Sequence, residues 1–314
     1  MERKIGQFDG AERGALIIVI GALHGNETAG VVALRQLFDM LEAERQRKPN
    51  FVFRGRIVGL IGNVQAYERK IRFVKTDLNR HFTLQNIQRV GSETPQYSNA
   101  SSLFFEDLEL AELVQVIENQ IFNYQPNRLV LLDLHTTSAA GGIFSIVSDD
   151  DASLDLAISL HIPVVRGMIG NVGGSTLHFF TEKNMHVPTI AVAFEAGKHD
   201  DPNAPRLAIA WLVNALRSVG AVSPFDVEHR HDEILRGHAR RLPKVVDLIH
   251  VHRIALDDHF QMLPDFENFQ AVRQGELLAR DRHGYIAAPE DCLILMPLYQ
   301  AKGKEGFFLV KEKT

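Results

Sequence analysis

Three short, continuous apolar runs carry the clearest pattern in the chain, at residues 15–20, 129–132 and 189–194. Each is unbroken by polar positions and bounded by turn or charged residues, which predicts strands buried on both faces. Helical spacing of apolar residues appears over 29–47, 104–122 and 202–219, with a shorter helix near 153–160. Strand and helix alternate, so the expected fold class is α/β, a mixed sheet flanked by helices. Residues 51–63 read as two closely spaced strands around Gly55 and Gly59. Residues 67–82 hold Arg69, Lys70, Arg72, Lys75, Asp77, Asn79 and Arg80 without a clear period and read as a long, polar, functional loop, which 91–102 continues as turn-forming sequence. From Pro243 onward short alternating segments recur between turn signals, predicting a separate, smaller β domain. The expected division is a catalytic domain over 1–225 and a β domain over 226–314.

The polar residues that end the apolar runs carry the candidate chemistry. His24 and Glu27 stand three residues apart where the first strand gives way to a helix, so both side chains share one face. Gly21 and Gly25 would let the backbone turn tightly there. A catalytic zinc commonly takes a His/His/Glu set and leaves its fourth position for water, which calls for one more histidine. The second run supplies it as His135, in Asp133-Leu134-His135, at the carboxyl end of a core strand where sites of open α/β sheets collect. Strand alternation puts Asp133 on the same side, able to orient the imidazole. The third run ends in Glu195. A carboxylate there is too costly to bury unpaired and should meet the water on the metal, a cation or solvent. It is read as the general base.

Composition narrows the partners. The 314 residues are 45% hydrophobic, enough for one large or two ordinary globular domains. A formal net charge of -5 gives no whole-protein attraction for nucleic acid or anionic membranes. The early apolar runs are too short to span a bilayer or form a secretory core. One cysteine, Cys292, excludes an intrachain disulfide and any cysteine-rich zinc module, so a cytoplasmic location is expected. The glycines of 170–174 lack dinucleotide-fingerprint spacing. His229, His231, Asp232 and Glu233 lack partners at fixed spacing and read as a solvated linker rather than a second metal site.

With His24, Glu27, His135 and Glu195 in this order, and Asp77-Leu78-Asn79-Arg80-His81-Phe82 between them, the sequence resembles the succinylglutamate desuccinylase/aspartoacylase family. The resemblance implies a zinc-carboxypeptidase-like mixed sheet followed by a smaller all-β, barrel-like domain. It also implies zinc-dependent hydrolysis of an N-acyl amino acid, with one Zn2+ per chain. By the family motif His24, Glu27 and His135 match the metal ligands and Glu195 the catalytic acid/base. Arg72 matches an arginine that polarises the scissile carbonyl, and Asn79 and Arg80 match the pair that holds a substrate carboxylate. Tyr299 resembles a tyrosine that the β domain contributes near the substrate. The expected partner is a small-molecule N-acyl amino acid, with assembly into a homo-oligomer left open. A metallocarboxypeptidase would use the same apparatus in a more open cleft. A carrier role for the β domain needs a lysine at a hairpin tip, and 274–276 and 281–284 contain none.

Overall fold

The structure is a computed structural model describing residues 1–92, 105–226, 230–255 and 257–313. Its strands are β1 (Lys4–Asp9), β2 (Glu12–Gly21), β3 (Arg54–Ile61), β4 (Leu129–Thr137), β5 (Phe144–Val147), β6 (Val164–Arg166) and β7 (Thr189–Lys198) in the first two thirds. The remainder holds β8 (Val245–Arg253), β9 (Gln261–Met262), β10 (Gln270–Val272), β11 (Leu277–Asp281), β12 (Gly284–Ala287), β13 (Cys292–Leu295) and β14 (Glu305–Glu312). Eleven of them form one mixed sheet in the order β1-β3-β2-β4-β7-β5-β6-β8-β14-β13-β10, and β12-β11-β9 form a small second sheet.

The three apolar runs are the parallel centre of the large sheet, β2, β4 and β7. Their continuity has a direct cause. In β2, Ile17 and Val19 pack with helices Ala29–Arg47, Asp151–Ser159 and Ala204–Ser218, while Leu16, Ile18 and Ile20 pack with helix Phe105–Tyr124 on the other face. Both faces are covered along the apolar runs, so polar side chains on the carboxyl side first appear beyond each run, as at Asp133 and His135 of β4 and Glu195 of β7. Register then aligns those ends: Gly21 of β2 is opposite Leu134 of β4, and His135 is opposite Glu195 of β7. Trp211 of helix Ala204–Ser218 stacks on Phe194 at 5.1 Å between ring centroids and donates from Nε1 to Ser145 Oγ at 3.1 Å. The residue before Glu195 is thereby pinned from beneath.

Several expectations change. Residues 51–63 contain one strand, β3, rather than two. Gly55 and Gly59 are there for close packing: a Cβ on Gly55 would meet the Ala15 carbonyl oxygen at 2.2 Å, and one on Gly59 the Phe38 ring at 2.7 Å. The polar 67–82 segment holds the end of helix Val64–Arg69 and a 3-10 turn, Leu78–Arg80. The part of the 91–102 stretch beyond residue 92, and residue 104 at the start of the expected 104–122 helix, lie outside the described residues.

Of the 229–233 cluster, residue 229 is also outside them, but the rest opens helix Arg230–Ala239. Asp232 of that helix pairs with Arg217 at 2.5 Å, and His231 is buried. This is a packed helix and not a solvated linker. Of the C-terminal strands, β9, β11 and β12 form the small second sheet, whereas the other four join the large one. β8 pairs in parallel with β6, from Val164 opposite Val245, so β8, β14, β13 and β10 extend the α/β sheet. They add a local apolar core around Phe266, Leu278, Ile294 and Phe307.

Candidate active site

The first turn after β2 is built by contacts more than by flexible glycines. Glu27 N–H donates to the His24 carbonyl at 3.0 Å, closing one turn that sets the two side chains on one face before the helix begins at Ala29. The left-handed residue of this segment is Ala22, at φ 54°. Gly25 is required for another reason: its missing Cβ would lie 2.0 Å from the Ala66 carbonyl carbon. That contact brings the segment carrying Arg72 against the turn, and Gly25 N–H donates to the Arg72 carbonyl at 3.1 Å.

His24, Glu27 and His135 are all buried, with one candidate ligand atom from each lying within 4.8 Å of the others. His24 Nδ1 lies 2.8 Å from Glu27 Oε1, and His135 Nδ1 lies 3.0 Å from Glu27 Oε2. Each ring is held from behind by a second carboxylate. Asp77 Oδ1 is 3.1 Å from His24 Nε2, and Asp133 Oδ2 is 3.1 Å from His135 Nε2. Two imidazoles and a carboxylate, with acids fixing the far ring nitrogens, are the donor set and outer support that a divalent metal of the zinc type requires. The residues fit a metal ion.

Charge follows the same logic. Burial opposes ionisation of Glu27, but His24 and His135 hold its carboxyl well below the usual carboxylate range. Burial likewise opposes charge on His135, yet Asp133 and Glu27 raise it well above an ordinary histidine. Asp77 is held low by His24, Arg72 and Arg80 despite its burial. Glu195 behaves differently. Burial, reinforced by the negative charges of Glu27 and Asp133, pushes its carboxyl up to about 8 against the pull of His135 and Arg72. Its Oε2 is buried without a hydrogen-bond partner, in the same cavity of about 120 Å³ that His24, Glu27 and His135 line. A buried carboxyl with a strongly raised pKa beside a ligand cluster marks Glu195 as a candidate for proton transfer.

Of the other expected residues, Arg72, Asn79 and Arg80 line this cavity. Arg72 donates from Nη1 to Glu27 and from Nη2 to Asp77, both at 3.3 Å, and its Nε is buried without a partner. Asn79 Oδ1 accepts from Thr176 N–H at 3.1 Å, leaving its amide protons for other acceptors. Tyr299 is elsewhere. Its hydroxyl donates to the Leu263 carbonyl at 2.8 Å and accepts from Phe266 N–H at 2.9 Å, while its neighbours Leu298 and Gln300 line the cavity.

Sequence reasoning gave no role to several residues that hold the site together. Glu106, fully buried on helix Phe105–Tyr124, accepts from the backbone N–H groups of Val74, Lys75 and Thr76, fixing the segment between Arg72 and Asp77. Thr176 Oγ donates to Asp133 Oδ2 at 2.6 Å. Thr136 N–H donates to Glu27 Oε2 at 3.1 Å, and its hydroxyl lies 2.7 Å from His199 Nδ1. Asp77 was visible as an acid beside the Asn79-Arg80 pair. The others carry no local sequence signal, because their partners are distant in the chain.

A mixed α/β sheet with a buried His/Glu/His cluster and a free carboxyl at its strand ends defines a candidate metal-assisted hydrolase class. A sequence model of the succinylglutamate desuccinylase/aspartoacylase catalytic domain matches residues 13–209, and the chain belongs to this family of deacylases. A succinylglutamate desuccinylase of Pseudomonas putida is 24% identical over 311 residues, covering 94% of this chain and 83% of that protein. A probable aspartoacylase of Nostoc sp. is 29% identical over 140 residues, 44% of this chain, and the match spans only 40% of that relative. The solved succinylglutamate desuccinylase of Vibrio parahaemolyticus superposes with a TM-score of 0.63 at 20% identity, covering 96% of this chain and 82% of that one, a likeness of fold. Among the described residues, no helix is long and apolar enough to cross a membrane.

Proposed function

We propose that the chain is a zinc-dependent amidohydrolase that cleaves the amide of an N-acyl amino acid, releasing a carboxylate and a free amine. One observation carries this reading: the unpartnered carboxyl of Glu195 shares a cavity with the buried His24/Glu27/His135 cluster. The family and the names of its relatives support the amide substrate. The metal would be held by His24, Glu27 and His135, one ion per chain. Bound zinc supplies Lewis acidity and lowers the pKa of water to about 7. The Glu195 value of about 8 belongs to the metal-free site, and a cation held by the cluster would favour the carboxylate form. In that form Glu195 takes the proton of the attacking water and later delivers it to the departing nitrogen. Arg72 is the free donor for the carbonyl oxygen as negative charge develops there, through its unpartnered Nε. Arg80 and the amide protons of Asn79 hold the substrate carboxylate. Residues 1–225 then supply the chemistry, and residues 226–314 complete the cavity wall through Leu298, Gln300, Glu305 and Phe308.

The support behind the ligands is itself testable. Asp77→Asn is expected to weaken zinc affinity about 10- to 100-fold, because the far nitrogen of His24 loses its carboxylate. Competition against a chelator measures this directly. Unchanged affinity in a folded variant would mean that Asp77 does not orient the ligand.

The test of the function is amine release from N-acyl amino acids by the zinc-loaded protein, with small peptides assayed alongside. Hydrolysis of the N-acyl amino acids supports the proposal. Hydrolysis of peptides alone, with release of C-terminal residues, would replace it with a carboxypeptidase.

A further inference from the structure

The two arginines of the cavity are already engaged. Arg80 donates from Nη2 and Nε to the two carboxylate oxygens of Glu305 on β14, at 2.6 and 3.3 Å, and from Nη1 to the Asn79 carbonyl at 2.8 Å. The Arg80 and Glu305 side chains are only 17% and 14% exposed, so this is a largely desolvated, two-pronged ion pair inside the site. Three of the five N–H groups of the guanidinium are thereby used, leaving one on Nη1 and one on Nη2 for a ligand. Arg72 is bonded to Glu27 and Asp77. Among the described residues, no other arginine or lysine lines the cavity.

Beyond the charged groups, the wall combines uncharged polar residues (Thr136, Thr137, Ser138, Ser175, Thr176 and Gln300) with a larger apolar face. Ile146, Met168, Val172, Leu177, Leu298 and Phe308 face the same space. One substrate carboxylate can be met by the remaining N–H groups of Arg80, whose charge it shares with Glu305. Among the described residues a second would find only Arg72, whose one unpartnered nitrogen is taken by the carbonyl oxygen. It would lie near the acids Glu305, Glu195 and Asp133, where burial of an unpaired charge is strongly unfavourable.

We propose that Glu305, by occupying Arg80, sets the substrate class: N-acyl amino acids with a single carboxylate whose remaining acyl or side-chain group is apolar. The proposal rests on the amidohydrolase reading and narrows it. The complementary device is exclusion, since a site discriminates as much by groups left unpaired as by contacts made.

The experiment compares kcat/KM for amine release from five substrates at one ionic strength: N-acetylleucine, N-octanoylglycine, N-acetylaspartate, N-succinylglutamate and Nα-acetyllysine. Wild type is expected to favour the better of the first two over both polyanions by at least about tenfold, the scale set by leaving a charged group unpaired. Glu305→Gln is expected to shrink that ratio by about tenfold, the two substrate types serving as internal controls for fold and zinc content. A wild-type preference for N-acetylaspartate, N-succinylglutamate or Nα-acetyllysine would overturn the proposal, and so would an unchanged ratio in the active variant. Those outcomes leave the amidohydrolase reading standing. Turnover of none of the five would remove both.

Discussion

Glu195→Gln is expected to lower kcat/KM for N-acyl amino acid hydrolysis by about 10²- to 10⁴-fold while leaving zinc binding in place, the range associated with losing a positioned acid/base. The amide keeps the shape of the side chain but can neither take a proton from water nor return one to nitrogen. The same substitution should stabilise the metal-free protein. In the folded state the Glu195 carboxyl is raised to about 8, whereas the ordinary value of a glutamate carboxyl is 4.5. Between those values the unfolded chain has lost this proton and the folded chain still holds it, so stability falls as pH rises through the window. Glutamine carries no such penalty. The metal-free variant should therefore exceed wild type by about 1–3 kcal/mol at pH 7 and converge with it below about pH 4.5. Urea denaturation of both proteins at the two pH values reads this difference. Full activity in the variant, or a stability difference independent of pH, would remove Glu195 from the role assigned to it.

His135→Ala should have an effect of comparable size by a different route. The ring lies between Glu27 at 3.0 Å and Asp133 at 3.1 Å, and its positive charge in the metal-free protein offsets both. Removing it deletes one candidate ligand and leaves two buried acids facing each other. Zinc affinity is expected to fall by more than about 100-fold, beyond the loss seen when only an outer partner of a ligand is removed. The metal-free protein should lose about 3–5 kcal/mol, the usual consequence of stripping one member from a buried ionic cluster. Chelated wild type separates the two effects. It should stay folded, lose activity and regain it on zinc addition, whereas the variant should not respond to zinc. Recovery of the variant by stoichiometric zinc would exclude His135 as a ligand.

The parts of this site that could be read from sequence are those in which local pattern and function coincide. Residues 15–20, 129–132 and 189–194 are apolar on both faces because helices cover both sides of β2, β4 and β7, and the polar residues that follow such runs stand out. His135 and Glu195 were visible for that reason. Glycines were harder to interpret, because sequence does not separate a turn from a close approach. Gly25 and Gly55 meet the backbones of Ala66 and Ala15, contacts fixed only by the folded sheet.

Tyr299 shows the limit of carrying a role along an extended segment. Adjacent residues there project to different sides, so Leu298 and Gln300 reach the cavity while the phenol is bound to the 263–266 segment. The C-terminal strands were legible as β structure but not as a continuation of the large sheet. That depends on the pairing of Val164 with Val245, which no local pattern encodes. Glu305 is the extreme case. It stands 225 positions from Arg80, and nothing around it marks it as part of a site until the chain is folded.

Zinc titration of the metal-free protein, with amine release from an N-acyl amino acid followed at each addition, tests the central claim most directly. The expected result is activity that rises from background in proportion to zinc and breaks at one equivalent per chain, with Glu195→Gln binding the same equivalent and remaining inactive. Turnover by the metal-free protein at the zinc-loaded rate would contradict the account, as would a fully loaded chain that hydrolyses no N-acyl amino acid.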